Sequence, residues 1–413
     1  MEYGISKNNV IMLTNIVILV IVFFIMLVIS LLSPRFCSYM PERQFFSPWN
    51  TTLIVWIIIL SIYLLVHNEL YLVSPQFVYG ITIWVLTFTL SSVGTFILFP
   101  SYKKDPWKVC ERNVDVITLI TLVLVPFAVY KAIQHAIMLG SPEGLFYTLR
   151  EQAIDPEENQ LGIVKYFVYV INVLLIIEVS RDNIKKWRLM LVILLCFLFF
   201  VATMGKMTLF MYLFTSLYIL YEKQKISLKP IFYGSLFLVI LVPLMFLLRG
   251  GSDEETDVEM VGNLLIIYTV TSIIAFGNLS PCSSTLFGES TLRFFYGVLS
   301  ALGINVGTPP PIVKDFCDTP LPTNVYTVMS TYFKDFGYTG IFVFALIEGI
   351  ILGVIYKYSK TGNNLMMYLY AYIFTYLVTQ FVDEQIFQGL SSIIQMVILV
   401  LLCHTKFSYK SYK

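Results

Sequence analysis

Runs of about 18 to 25 mostly apolar residues recur along this chain, and nothing else about it constrains the fold as strongly. A helix needs about 20 apolar residues to cross about 30 Å of hydrocarbon, where backbone N–H and C=O groups must pair within the helix because no water reaches them. Composition agrees, with 57 % hydrophobic and only 13 % charged residues among 413. Stretches near 10–32, 51–67, 77–99, 115–139, 162–180, 187–204, 207–221, 230–248, 339–356, 364–382 and 389–405 read as spans. The expected fold class is therefore an all-α polytopic integral membrane protein of about 11 transmembrane helices, with residues 1–413 forming a single membrane domain. A twelfth apolar stretch, Gly262 to Leu279, is dotted with Asn263, Thr269, Thr271, Ser272 and Asn278, and reads as interfacial or re-entrant.

Charge assigns the sides. Lys and Arg collect in alternate short loops: Arg35 and Arg43, then Lys103, Lys104, Lys108 and Arg112, then Arg181, Lys185, Lys186 and Arg188, then Lys223, Lys225 and Lys229. The positive-inside rule makes these loops cytoplasmic, together with Lys357, Lys360 and the tail bearing Lys406, Lys410 and Lys413. An odd number of spans then puts the N-terminus outside, so the first span reads as a reverse signal anchor and not as a cleaved signal peptide. Two loops face outward, one at 140–161 and a larger one at 249–338 with a membrane-associated segment, and both carry acidic clusters.

A net charge of +1 gives no electrostatic case for nucleic acid. Three scattered histidines without Cys or carboxylate spacing argue against zinc, and no metal or other cofactor is expected. Of the six cysteines only Cys282 and Cys317 share the large outer loop, as candidates for a disulfide or as two thiols. There is no Walker loop, Rossmann glycine fingerprint or Gly-x-Ser-x-Gly elbow, which disfavours chemistry driven by ATP or a sugar nucleotide.

Ionisable groups near the outer membrane face are costly unless paired or hydrated, so each is a candidate for function. The cations there are Lys131, Arg150, Lys206, Arg249, Arg293, Lys314 and Lys334. Guanidinium groups grip phosphate oxygens in bidentate fashion, and such a set among acidic loops points to an anion, with diphosphate the best match. Plainer roles stand beside that reading: a salt bridge to Glu151 or Asp155 for Arg150, a turn residue for Lys206, and a snorkelling end-cap for Arg249. Arg293 lies among aromatics in Leu292-Arg-Phe-Phe-Tyr296. His135 has a suitable intrinsic pKa for a base, although a lone histidine is usually a packed one. Glu348, deep in a span, reads either as a proton carrier or as one half of a polar contact, with Lys131 one partner considered. Asp383 and Glu384 lie at the outer turn between the last two spans.

The segment Asn324-Val-Tyr-Thr-Val-Met-Ser-Thr-Tyr-Phe-Lys-Asp-Phe-Gly-Tyr-Thr-Gly340 resembles the oligosaccharide repeat unit polymerases, the Wzy-type O-antigen polymerases of Gram-negative bacteria. The layout of spans and loops agrees over most of the chain, including Leu149-Arg150 in an outer loop and the hairpin Gly205-Lys206. That hairpin often carries arginine in the family, and lysine keeps the charge without the bidentate fork. The resemblance implies transfer of a glycan from one undecaprenyl diphosphate carrier onto the non-reducing sugar of another carrier-linked repeat unit, at the periplasmic face of the bacterial inner membrane. It implies that Arg150, Arg249 and Arg293 neutralise the diphosphate, that Lys206 and Lys334 assist, and that Lys334, Asp335 and Tyr338 shape the cavity. Asp335, Glu384 and His135 are unranked candidates for the base. Tyr296, Tyr326 and Tyr332 are candidates for stacking on sugars, and Asn324 for binding glycan. The partners implied are the lipid-linked donor and acceptor, membrane lipid, a flippase and a chain-length regulator.

Two rivals use the same donor chemistry. An O-antigen ligase generally has a histidine in its large outer loop, and 249–338 contains none. A lipid-linked oligosaccharide flippase is expected to show two similar bundles and short outer loops, and neither is legible here.

Overall fold

The computed structural model describes residues 7–66, 71–100, 108–140, 144–154, 159–230, 233–234, 257–307, 311 and 314–405. Among them the chain is helical, with a single isolated bridge between Cys317 and Thr323 and no strand. The helices are α1 (Lys7–Leu32), α2 (Pro48–Val66), α3 (Pro75–Leu98), α4 (Glu111–Leu139), α5 (Leu145–Ile154), α6 (Phe167–Ser180), α7 (Lys186–Thr203) and α8 (Lys206–Glu222). They continue with α9 (Asp257–Gly277), α10 (Arg293–Ala301), α11 (Met329–Ser359), α12 (Asn364–Val378) and α13 (Leu390–His404).

Among the described residues seven stretches are long and apolar enough to cross a membrane: Val10–Arg35, Pro48–Val66, Pro75–Leu98, Glu111–Leu139, Gly162–Ser180, Lys186–Thr203 and Met329–Ser359. This is the build of a polytopic membrane protein. Three shorter apolar helices, Ile266–Gly277, Asn364–Val378 and Leu390–His404, accompany them. The span expected at 230–248 falls largely outside the described residues, and Arg249 lies wholly outside them. The polar-dotted stretch at 262–279 is most of α9 and the turn that ends it, where the Phe276 carbonyl and the Leu279 carbonyl just beyond the helix accept the Gln76 amide at 2.9 and 2.8 Å.

By internal packing the chain divides into two compact units, the first comprising residues 1–102, 261–361 and 376–391. Its main seam runs between α3 and α11, where the small residues Gly349 and Gly353 let two backbones approach closely. A Cβ on Gly349 would stand 2.8 Å from the Phe88 carbonyl oxygen, and one on Gly353 2.7 Å from that of Ser92. Above this seam Tyr332 is stacked between Trp84 and Phe344, at ring-centroid distances of 5.8 and 4.6 Å. Its hydroxyl donates to Glu348, so the polar contact that the buried carboxylate needs comes from its own helix. Lys131, the other partner considered, holds its ammonium 4.9 Å from the Phe127 ring centroid.

The first unit also has a polar hub. The Gln380 Oε1 accepts both the Trp56 and the Trp84 indole N–H, at 2.9 and 3.1 Å, while its Nε2 donates to Thr52 and to the Leu377 carbonyl. Gln380→Leu is expected to leave two buried indole donors unmatched, at a cost of about 1–3 kcal/mol each. A thermal scan of the purified protein, with Gln380→Glu as a variant that keeps an acceptor, checks this.

The second unit comprises residues 103–260, 362–375 and 392–413. Helix α6 is its axis, with every residue from Ile171 to Ser180 buried, as befits a helix apolar on all sides. At its end Glu178, itself buried, receives Arg188 at 3.1 Å and Arg181 at 2.9 Å. Arg188 also reaches Glu111 and Asp115 on α4, at 3.1 and 3.2 Å. Removing one partner of such a network leaves an uncompensated buried charge. Two arginines read from sequence as loop charges therefore also tie α4, α6 and α7 together.

Candidate functional site

The motif-bearing segment 324–340 builds the site in the first unit. Its opening residues are extended and pair with the turn after α12: the Tyr326 N–H donates to the Val382 carbonyl at 3.1 Å, and that of Val328 to Gln380 at 2.8 Å. The chain then turns into α11, which is broken at Gly337, where φ is 63° and ψ is −150°, a conformation essentially restricted to glycine. Residues 329–336 thus form a half-helix of their own ahead of the apolar span. The spacing of Ser330 and Lys334 sets both on one face of that half-helix. A strap at 282–284 caps its free carbonyls: the Cys282 N–H donates to Phe333 at 3.3 Å and the Ser283 N–H to Lys334 at 2.8 Å.

Asp335 clasps the loop that follows the strap. Its carboxylate accepts the Ser284 hydroxyl, the Thr291 N–H at 2.7 Å and the Ser290 N–H at 3.4 Å. Two residues beyond Thr291, α10 begins with Arg293. Asp335→Ala removes three bonds to an anionic acceptor, and a loss of about 3 kcal/mol locally is expected. Faster amide hydrogen exchange at Ser290 and Thr291, with exchange in α6 unchanged, is the measurement that checks it.

These elements enclose a cavity of about 270 Å³ whose wall includes Arg293, Lys314 and Lys334 together with Tyr326, Ser330, Thr331 and Gln388. Lys314 is already matched: its ammonium donates to Asp383 at 2.6 Å and Ser330 at 2.8 Å, and stands 5.3 Å from the Tyr326 ring centroid. Burial pushes the Asp383 carboxyl up, against the pull of Lys314. Burial, with Cys317 and Asp315 adding, pushes the Tyr326 phenol up to about 12. The Gln388 amide donates to Thr331 at 2.8 Å and so fixes that hydroxyl at the cavity wall.

Arg293 and Lys334 differ from Lys314. Both are half-buried, and neither has a hydrogen-bond or ion-pair partner for its side chain among the described residues. Burial alone pushes the Arg293 guanidinium down. The charge of Lys334 reaches Glu289, whose carboxyl burial pushes up but which the Thr285 hydroxyl, the Leu286 N–H and Lys334 together hold below its usual range. Two half-buried cations facing one cavity are suited to a bound anion.

The other candidates from sequence are distributed as follows. Tyr296 donates to the Phe287 carbonyl at 2.8 Å, Tyr338 is part-exposed at 3.5 Å from the Gln76 carbonyl, and Asn324 is half-buried in the extended segment. Glu384 is buried at a turn, where its carboxylate accepts the N–H groups of Ile386, Phe387 and Gln388 at 2.6 to 2.9 Å. Burial raises its carboxyl, against the pull of those N–H groups. Neither Asp335 nor Glu384 lines the cavity; among the described residues the carboxylate that does is Asp315.

Cys282 and Cys317 are both free thiols in this structure, the second of the two alternatives open from sequence. They are anchored to different segments: Cys317 pairs with Thr323 and its Sγ accepts the Asn278 amide at 3.3 Å, whereas Cys282 is held on Phe333.

In the second unit Arg150 on α5 meets the hairpin between α7 and α8, where a Cβ on Gly205 would stand 3.7 Å from its Nη1. Two pieces read separately from sequence, Leu149-Arg150 and Gly205-Lys206, are thereby brought together. His135 is half-buried on α4, and its Nδ1 has no hydrogen-bond partner among the described residues. Among the described residues no group of His, Cys, Asp and Glu is arranged to hold a metal ion. Fold and site together define an all-helical protein of membrane-spanning build with a cation-lined cavity. No protein-family model, curated protein or solved structure matches the chain.

Proposed function

We propose that the cavity binds the diphosphate of a lipid-linked oligosaccharide, and that the chain polymerises undecaprenyl-diphosphate-linked repeat units in the manner of a Wzy-type O-antigen polymerase. The observation that carries this reading is the pair Arg293 and Lys334, half-buried at one cavity and with no hydrogen-bond or ion-pair partner among the described residues. The local resemblance of 324–340 supports it, because Lys334, Tyr326, Ser330 and Thr331 all belong to that segment and all line the cavity.

On this reading a hydroxyl of the acceptor sugar attacks the anomeric carbon of the donor, and the bond from that carbon to the phosphate oxygen breaks. Undecaprenyl diphosphate departs with the bonding electrons. The charge developing on it is met by Arg293 and Lys334, cations already standing at the wall of a partly dehydrated site. The hydroxyl proton passes to a carboxylate, and Asp315 is assigned that role because it lines the cavity. Ser330, Thr331 and Gln388 offer hydroxyl and amide groups that suit a glycan.

The reading is tested by silver-stained lipopolysaccharide from a strain lacking this chain, with and without complementation. Core bearing a single repeat in the deletion supports a polymerase. Core with no repeat points to a ligase or flippase, and an unchanged ladder rejects a role in glycan assembly.

A further inference from the structure

Helix α10 has two unlike sides. Phe295 and Val298, with Leu302 as the residue that caps the helix, recur at the spacing of one helical face and are 48, 42 and 72 % exposed, a large apolar surface for so short an element. At about 100° per residue, Arg293 falls on the opposite side, and that side meets the cavity. An amphipathic helix of this pattern suits a boundary between water and lipid.

Its height along the molecule is fixed independently. Asp335 holds the N–H groups of Ser290 and Thr291, just ahead of α10, and lies two residues before the Gly337 break that opens the apolar part of α11. The start of α10 is therefore tethered at the level where that span begins. Beyond the break α11 exposes Phe342, Leu346 and Ile350, 36 to 49 % each, at the spacing of a lipid-facing stripe. The bare apolar face of α10 thus begins where the expected hydrocarbon surface begins.

We propose that α10 is an interfacial helix: its Phe295, Val298 and Leu302 face lies in the surface of the lipid bilayer, and Arg293 is turned to the cavity from its other side. This rests on the membrane-spanning build of the chain and not on the polymerase reading. An anionic group carried at headgroup depth then meets Arg293 without leaving the lipid surface.

The test uses the full chain in nanodiscs of ordinary or brominated phosphatidylcholine, with Val298→Trp, Leu302→Trp and, on the opposite side, Ser300→Trp. The parent protein supplies the baseline from its native tryptophans, and samples are matched for gel-filtration profile. The emission added at positions 298 and 302 is expected to be quenched about twofold by the brominated lipid, with that at 300 little changed. Two separate reporters keep the answer from hanging on one variant. Quenching at 298 and 302 no greater than at 300 overturns the proposal. Blue-shifted but unquenched emission at 298 and 302 also overturns it, because it assigns the face to a protein partner.

Discussion

Gly349→Leu will fail to give the detergent-stable, monodisperse protein that the parent chain gives. The expectation follows from distance: even a methyl group at 349 would stand 2.8 Å from the Phe88 carbonyl oxygen, and Ser91 is closer still. Leucine adds three further carbons to that methyl. Overpacking a fitted interior typically costs about 1–3 kcal/mol when side chains can adjust, and here the obstacle includes backbone. The α3 and α11 backbones must part, which loosens the seam supporting the half-helix 329–336 and, with it, the cavity. In a fold with net stability of about 5–15 kcal/mol such a loss is large. Gel filtration and a thermal scan decide the matter, with Gly349→Ala expected to fall between the parent and the leucine variant. An unchanged melting profile for Gly349→Leu would mean that the two helices do not cross there.

Arg293→Ala combined with Lys334→Ala is expected to reduce polymer formation by at least about a hundredfold while leaving the protein folded. A bond to a charged group contributes about 1.5–3 kcal/mol, and two of them lost from one diphosphate correspond to a factor of about 10² to 10⁴. Neither side chain has a hydrogen-bond or ion-pair partner among the described residues, so truncation removes no internal bond and the melting profile is expected to hold. The lipopolysaccharide ladder collapsing to core plus one repeat, at normal expression, is the readout. Lys314→Ala serves as a contrast, because it strands Asp383 and is expected to lower stability as well as activity. A full ladder from the double variant would dissociate the cavity from the chemistry.

Much of this was legible in the sequence because two signals are local. Apolar length announces a membrane helix by itself, and all seven long apolar helices coincide with expected spans. Arg293, Lys334 and Tyr326 were likewise visible as polar groups amid apolar or aromatic surroundings. What sequence could not deliver was pairing. Arg188 and Glu178 read as a loop charge and as an unremarked carboxylate in a span, yet they are 3.1 Å apart. Lys314 stood among the cations without a hint that Asp383, 69 positions on, would claim it. Asp335 looked like a base, but its acceptors are taken up by Ser284, Ser290 and Thr291, which precede it by more than 40 residues. Gln388 and Asp315 carried no signal at all, since an amide or a carboxylate in an outer loop is ordinary until a wall forms around it. The Gly337 break is an intermediate case: a glycine before a span is conspicuous, but only its positive φ identifies it as a joint.

That joint separates two mechanical duties. A continuous helix would carry any tilt of the span straight into the groups at its outer end, and spans tilt by tens of degrees as bilayer thickness changes. With the ladder interrupted at Gly337, the half-helix takes a direction of its own, while the Tyr332 hydroxyl on Glu348 and its ring on Phe344 keep it joined to the span. The half-helix bearing Ser330, Thr331 and Lys334 stays fastened to the strap at 282–284 and to the Asp335 clasp. The cavity wall is thus set by the strap and the clasp at the outer end of the span, and not by the axis of the span itself.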